Sequence, residues 1–115
     1  MAKIIDKSVR NVENAVRDFK NWLSVFKTEY DIADEAMHVL HKKVDEFSDK
    51  LREVKCDASG KVAADSMKPV ANTLRDAKAW LATFAQEYDL SDEAKKVLHE
   101  SFDKVGDALA KVECR

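Results

Sequence analysis

Glycine, proline and cysteine are scarce in this sequence. Among its 115 residues there are 2 glycines, 1 proline and 2 cysteines. Because hairpins and sandwich loops need glycine and proline at their turns, an all-β architecture is nearly excluded. Two cysteines are too few for a disulfide scaffold. The length suits one domain with a single modest core.

An excess of one charge and long apolar runs are also absent. The 20 Lys and Arg face 22 Asp and Glu, so the net charge is −2 and neither nucleic acid nor an acidic membrane is expected as a partner. No stretch approaches the roughly 18 apolar residues of a membrane span, and residues 1–8 lack the apolar run of a secretory signal. These features predict a reduced, cytoplasmic protein, although a secreted chain without its leader would look the same.

An internal duplication is the strongest feature that is present. A shift of 58 residues aligns 10–57 with 68–115, and 22 of the 48 pairs are identical. Unrelated segments of ordinary composition would share about three. The matched residues include a Trp-Leu-x-x-Phe segment, a Glu-Tyr-Asp segment and a terminal cysteine in each copy. We therefore predict two tandem repeats, residues 1–57 and 58–115.

Each repeat has the apolar spacing of two amphipathic helices. The apolar residues recur at alternating steps of three and four, which places them on one stripe of a helix. The first such stripe consists of Val9, Val12, Val16, Phe19, Leu23, Phe26 and Tyr30. A hairpin of two such helices cannot bury its stripes alone. The sequence therefore predicts an all-α fold, a four-helix bundle with a coiled-coil-like seam, built from two antiparallel helical hairpins.

Small polar residues and proline predict where the first helix of each repeat begins. Ser8 and Ser66 occupy equivalent positions, and both are suited to cap a helix N-terminus. Pro69 would then lie in the first turn, where a helix loses no hydrogen bond by lacking an N–H group.

Aspartates predict the turn inside each hairpin. Asp31-x-x-Asp34 and its copy Asp89-x-x-Asp92 resemble a capping box with aspartate as the reciprocal acceptor. They predict tight turns at residues 30–32 and 88–90. Gly60 is the strongest breaker between the two repeats.

A Trp/His pair recurs beside the apolar stripes. In an antiparallel hairpin with a turn near residue 31, Trp22 and His41 lie at the same level, and Trp80 and His99 repeat the pair. Aromatic walls and an imidazole could form a pocket for an apolar ligand, whereas a widened core with a half-buried histidine is the simpler interpretation. The candidate ligand-binding residues are Trp22, His41, Trp80, His99, Phe26 and Phe84, with Met37 and Met67 nearby.

Polar residues outside the stripes also recur, and they form a candidate partner-binding ridge. Residues three and four apart on a helix share one face. The ridge consists of Asn14, Arg17 and Asp18 with their copies Asn72, Arg75 and Asp76. Structural ion pairs are the alternative explanation.

The two cysteines end equivalent helices. In an up-down-up-down bundle, Cys56 and Cys114 lie at the same pole, so a disulfide between them is geometrically possible. Two free thiols inherited from the duplication are the alternative. A helix C-terminus disfavours a thiolate, which argues against catalytic cysteines.

The sequence contains no recognisable catalytic arrangement. A glycine-rich phosphate loop, a Gly-x-Ser-x-Gly elbow and a Cys-x-x-Cys pair are all absent, and we expect neither an enzyme nor a metal or other cofactor. The pattern favours a helical interaction or scaffold module that binds a protein partner or self-associates through its duplicated surface. The alternative is a carrier of a small apolar ligand, such as a fatty acid, a lipid or haem, held between the hairpins.

Overall fold

The computed structural model describes residues 3–115, so the first two residues of the predicted first repeat lie outside the described residues. The described chain forms four helices, with short loops between them. They are α1 (Asp6–Glu29), α2 (Asp34–Leu51), α3 (Ala64–Glu87) and α4 (Asp92–Ala110). The prediction of an all-α four-helix bundle is confirmed. The bundle is elongated, about 50 × 19 × 19 Å.

The closest helix pairs join one repeat to the other. α1 packs along α4, and α2 packs along α3, whereas consecutive helices of one hairpin lie farther apart. Small side chains allow the close approach of α1 to α4, where Ala15, Ser101 and Ala108 line the seam. Large rings fill the wider space at the centre, including Phe19, which meets Phe102 edge to face at 5.2 Å between ring centroids.

The predicted stripes form a single continuous core. The side chains with less than 2% exposure come from all four helices, and each contributes roughly 1.5–3 kcal/mol by leaving water. They are Phe19, Phe47, Phe84, Leu23, Leu81, Leu98, Val12 and Val70. The closest helix contacts run between the repeats, so the two hairpins contribute to one shared core.

Left-handed aspartates make the turn within each hairpin. Asp31 and Asp89 have φ values of 52° and 51°, where aspartate is one of the few tolerated residues other than glycine. The next residues, Ile32 and Leu90, are buried and donate backbone N–H bonds five residues back, as in a Schellman motif. The predicted turn positions are confirmed.

The capping-box interpretation of these aspartates is wrong. α2 begins after Ala33 with no side-chain cap, and α4 is capped by Ser91, whose hydroxyl accepts from the N–H of Ala94. Asp31 and Asp89 serve the preceding helix instead, because the left-handed conformation is what ends α1 and α3.

The predicted N-caps of α1 and α3 are also wrong. Both helices begin before Ser8 and Ser66, after Ile5 and Ala63, which provide no side-chain cap. Pro69 is consequently the sixth residue of α3 rather than part of its first turn, and α3 loses one internal hydrogen bond there.

Ser8 and Ser66 instead tie the repeats together at one pole of the bundle. The Ser8 hydroxyl donates to the Ile5 carbonyl at 2.6 Å and accepts from the N–H of Glu113 at 3.2 Å. The Ser66 hydroxyl donates to the Ala63 carbonyl at 2.8 Å and accepts from the N–H of Lys55 at 3.0 Å. The two sets of bonds are equivalent under the 58-residue shift.

Backbone pairing at the same pole follows the same symmetry. Ile4 pairs with Cys114, and the equivalent Val62 pairs with Cys56, both in an antiparallel sense. The N–H of Arg115 donates to the carbonyl of Lys3 at 2.8 Å. The equivalent bond inside the linker runs from Asp57 to Lys61 at 2.7 Å. In both places, the segment that leads into one hairpin is thus hydrogen-bonded to the segment that leaves the other hairpin.

Gly106 provides a test of how tightly α3 and α4 pack. It lies inside α4, where glycine costs about 1 kcal/mol relative to alanine, and the first repeat has Ser48 at this position. A Cβ at Gly106 would meet Leu74 Cδ2 at 3.7 Å, an ordinary contact. We expect Gly106→Ala to raise the free energy of unfolding by about 0.5–1 kcal/mol in urea titrations.

Gly106→Ser is the matched variant, because serine has a lower helix propensity than alanine. Stability should rise in the order glycine, serine, alanine. A loss of stability in both variants would show that Leu74 cannot accommodate the added methyl group.

Candidate functional site

Trp22 and His41 lie level but on different sides of the bundle. Ion pairs between Lys20 and Asp45 at 2.7 Å and between Lys27 and Asp34 at 2.8 Å hold α1 against α2 in the register that the sequence predicts. Trp22, however, lines the groove between α1 and α4. His41 lines a shallow groove on α2 with His38 and Asp45. The structure does not bring the two side chains into one pocket.

Trp80 lies at the position equivalent to that of Trp22 but is less exposed. It lies one turn beyond Asp76, on the side of α3 that approaches α2, since Asp76 contacts Lys43 across that seam. Trp80 is half-buried against the core and its Nε1 has no hydrogen-bond partner, while Trp22 is 41% exposed. His99 is also half-buried.

Phe26 and Phe84 are core residues. Phe26 is buried between two rings of its own helix, with centroids 5.8 Å from Trp22 and 6.0 Å from Tyr30. Phe84 is fully buried and lies 5.1 Å from Tyr88. Both rings are therefore packed inside the core and do not form the wall of a ligand pocket.

The bundle interior is closely packed. The space enclosed at its centre, between the aromatic rings of the two hairpins, has a volume of about 10 Å³. That is about the room needed for one water molecule, whereas ligand pockets usually measure about 300–1,000 Å³. An apolar ligand would require the hairpins to separate.

An exposed apolar patch lies on the outer face of α1. Trp22 is 41% exposed, and Val25, one turn further along the helix, is 50% exposed. Beside them, the groove between α1 and α4 has a volume of about 450 Å³ and is bordered by amide, carboxylate and amine groups. Its lining residues are Asn11, Asn14, Ala15, Asp18, Asn21, Trp22, Ser101, Lys104 and Ala108. At the position equivalent to Val25 the second repeat has the polar Thr83.

The structure divides the predicted polar ridge of the first repeat between two grooves. Asn14 and Asp18 border the groove that contains Trp22. Arg17 instead lines the groove between α1 and α2. The three residues therefore do not act as one ridge.

The copies of these residues in the second repeat have different surroundings. Arg75 lines the groove between α3 and α4. Asp76 forms an ion pair with Lys43 at 3.6 Å, and Asn72 is exposed one turn earlier on α3. The two ridges are equivalent in sequence but differ in their charged neighbours.

The surroundings of His41 favour its neutral form. Partial burial lowers the pKa of His41 below its ordinary value of 6.5, and the nearby Lys20 lowers it further. Asp45 opposes the shift, and His38 adds to it.

Cys56 and Cys114 form a disulfide that joins equivalent positions of the two repeats. Their Cα atoms are 6.0 Å apart and they are separated by 58 residues, the repeat period. Both cysteines are partly exposed at the pole where Ser8 and Ser66 form their cross-repeat bonds. The bond closes a long loop and links the exits of the two hairpins.

The chain matches no protein-family model, and neither a curated protein nor a solved structure shows significant similarity to it. Among residues 3–115, no helix is both long and apolar enough to cross a membrane. The interpretation of the site therefore depends on its geometry.

The disulfide should make a large contribution to stability. A disulfide that closes a loop of 58 residues lowers the conformational entropy of the unfolded chain, which corresponds to about 4 kcal/mol of stability. Disulfides commonly contribute about 2–4 kcal/mol to the free energy of unfolding. We expect the Cys56→Ser/Cys114→Ser double variant to lose that much free energy of unfolding in urea. The same loss should follow when a reductant is added to the wild-type chain.

The double variant is its own control, because a reductant should leave its stability unchanged. Equal stability of the two proteins, together with two free thiols by mass spectrometry, would contradict the prediction.

His41 should make the stability depend on pH. Its pKa is lower in the folded chain than in the unfolded chain, so the unfolded chain binds more protons as the pH falls below 6.5. The free energy of unfolding should therefore decline from pH 8 to pH 5 and level off below the folded pKa. We expect a smaller decline in His41→Gln, measured by urea titration at each pH. Parallel curves for the two proteins would exclude a role for His41.

Proposed function

We propose that this chain is a non-enzymatic interaction module that binds a protein partner through the outer surface of α1 and α4. The observation that carries the proposal is the pair of exposed apolar side chains, Trp22 and Val25. Neither side chain belongs to the buried core, and Trp22 remains 41% exposed although it stacks on Phe26. In the second repeat, the equivalent positions are a packed tryptophan and a threonine.

The composition of this surface is typical of a protein interface. Tryptophan is among the residues that contribute most to binding when a partner covers it, and a polar border around an apolar centre is the usual arrangement. Asn14, Asn21 and Asp18 supply such a border beside Trp22. The groove between two antiparallel helices has the shape that receives a third helix.

The carrier alternative has less support. A fatty acid or haem held between the hairpins would need a chamber many times larger than the central space of about 10 Å³. Self-association is a second alternative, in which another copy of this chain covers Trp22.

The two cysteines bear on the cellular location of the protein. The low cysteine content favours the cytoplasm, but the disulfide between Cys56 and Cys114 would be maintained best in an oxidising compartment. The interaction surface lies away from that disulfide and does not depend on the compartment.

The proposal predicts that a helical partner loses affinity when the patch is made polar. We would select binders from a displayed library of helical peptides with random charge and measure their dissociation constants by isothermal titration. Trp22→Ser/Val25→Ser should weaken binding by at least about tenfold, since truncating such a residue often costs 2 kcal/mol or more. Trp22→Ser also removes the ring that stacks on Phe26, so the free energy of unfolding should fall by about 1–2 kcal/mol while the chain stays folded.

Val39→Ser is the matched control, because Val39 is 36% exposed on α2, outside the groove. Selected peptides that bind the double variant as well as the wild type would contradict the proposal. A lipid or haem mass in native mass spectra would favour the carrier. A dimer that dissociates in the double variant would favour self-association.

A further inference from the structure

The groove beside Trp22 limits the size of its occupant. Its lining on α1 extends from Asn11 to Trp22, about three helical turns or 17 Å. Its floor is formed by the small residues Ala15, Ser101 and Ala108, where α1 and α4 lie close together. An occupant helix of three or four turns would cover the groove and extend over Val25.

Four carboxylates surround the apolar patch. On α1, Asp18 lies one turn before Trp22 and Glu29 lies one turn after Val25. The hydrogen bond of Tyr30 to Ser91 and the contact of Phe19 with Phe102 fix the register of α1 along α4. They place Trp22 level with about residue 99, beside Glu100, and Val25 level with about residue 96, within about a turn of Glu93. Glu100 also precedes the groove residue Lys104 by four positions, on the same face of α4.

These carboxylates have no partners within the chain. Asp18, Glu29, Glu93 and Glu100 are all exposed, and none of them belongs to an ion pair among residues 3–115. Two exposed lysines of α4, Lys96 and Lys104, lie among them, level with about residues 25 and 17 of α1. The four carboxylates outnumber these two amines, so the surroundings of the apolar patch carry more negative than positive charge.

The equivalent surface of the second repeat has a different charge pattern. Asp76, the copy of Asp18, is neutralised by Lys43, which stands where α4 has the uncharged Ser101. Lys42 stands where α4 has Glu100. Glu46, in turn, stands where α4 has Lys104, so the two surfaces differ in the placement of their charges. The surface that exposes its tryptophan is the one on which the aspartate a turn before that tryptophan has no ion-pair partner among residues 3–115.

We propose that this surface binds a basic amphipathic helix. Its apolar stripe would cover Trp22 and Val25, and its Lys or Arg side chains would pair with the surrounding carboxylates. Burial of the apolar stripe would supply most of the affinity, and the opposite charges would accelerate association and select the partner. An arginine over the Trp22 ring would add a cation–π contact. This inference rests on the proposed function and adds to it the chemistry of the partner.

Two peptides that differ only in charge test the inference. Both have 18 residues with Leu at i, i+3, i+4 and i+7; one has Lys at the other positions and one has Glu. Isothermal titration of the wild-type chain gives the affinities. In a Trp80→Phe background, the fluorescence of Trp22 reports contact with the patch. We expect the Lys peptide to bind at least about tenfold more tightly, to shift the Trp22 emission to shorter wavelength and to weaken as NaCl is raised.

Charge-neutralising variants locate the interaction. Glu93→Gln/Glu100→Gln should lower the affinity for the Lys peptide several-fold. Glu35→Gln/Glu46→Gln is the matched control, since it removes the same charge from exposed positions on α2. Equal weakening in the two variants would mean that bulk charge alone attracts the peptide, and this would overturn the inference.

The remaining outcomes separate this inference from the proposed function. If the two peptides bind equally and both depend on Trp22, the interaction surface stands and its preference for a basic helix is overturned. The same conclusion follows if neither peptide binds while peptides selected from the library do. If the selected peptides are also insensitive to Trp22→Ser/Val25→Ser, the proposed function itself fails.

Discussion

The packing of each repeat against the other is the constraint on which the rest of this structure depends. An amphipathic hairpin of this length has one apolar stripe per helix, and consecutive helices lie too far apart to cover them. The close seams of α1 with α4 and of α2 with α3 provide the cover. Phe19, Leu23, Leu81 and Leu98 are therefore buried by residues that lie far away in the chain. A repeat isolated from its copy would lose the contacts of both close seams.

Comparison of the two repeats shows which structural features are present in both and which differ. Where the structure depends on a residue, both copies keep it: the left-handed aspartate, the buried apolar residue after it, and the serine that bonds across the pole. The copies also differ inside the core: Phe19 and Phe47 correspond to Ala77 and Val105, and Val44 corresponds to Phe102. The symmetry of the turns and of the pole therefore does not extend to the packing of the core. On the outer surface, Val25 corresponds to Thr83, and this difference leaves an apolar side chain exposed.

Much of the fold could be predicted from residue spacing, because alternating steps of three and four define a helical stripe whatever its partner. The turns could also be predicted, but the reason offered for them was wrong: Asp31 ends α1 through its backbone conformation and does not cap α2. The site was harder to predict. Register along a hairpin placed Trp22 and His41 level, yet it carries no information about which neighbour each side chain faces. That depends on the arrangement of all four helices, in which α4 lies on the Trp22 side of α1.

The pole where the hairpins enter and leave has a topological consequence. Lys3 and Arg115 exchange two backbone hydrogen bonds. The equivalent Lys61 and Asp57 keep one of them, from the N–H of Asp57 to the carbonyl of Lys61, while the N–H of Lys61 donates to the Asp57 carboxylate. The bundle thus has two equivalent junctions, and the linker 58–60 connects the hairpins at one of them. The order of the repeats is consequently interchangeable: a chain cut within 58–60, with a short bridge from Arg115 to Lys3, would pass through the same four helices. The disulfide fastens one junction to the other, because Cys56 belongs to the first and Cys114 to the second.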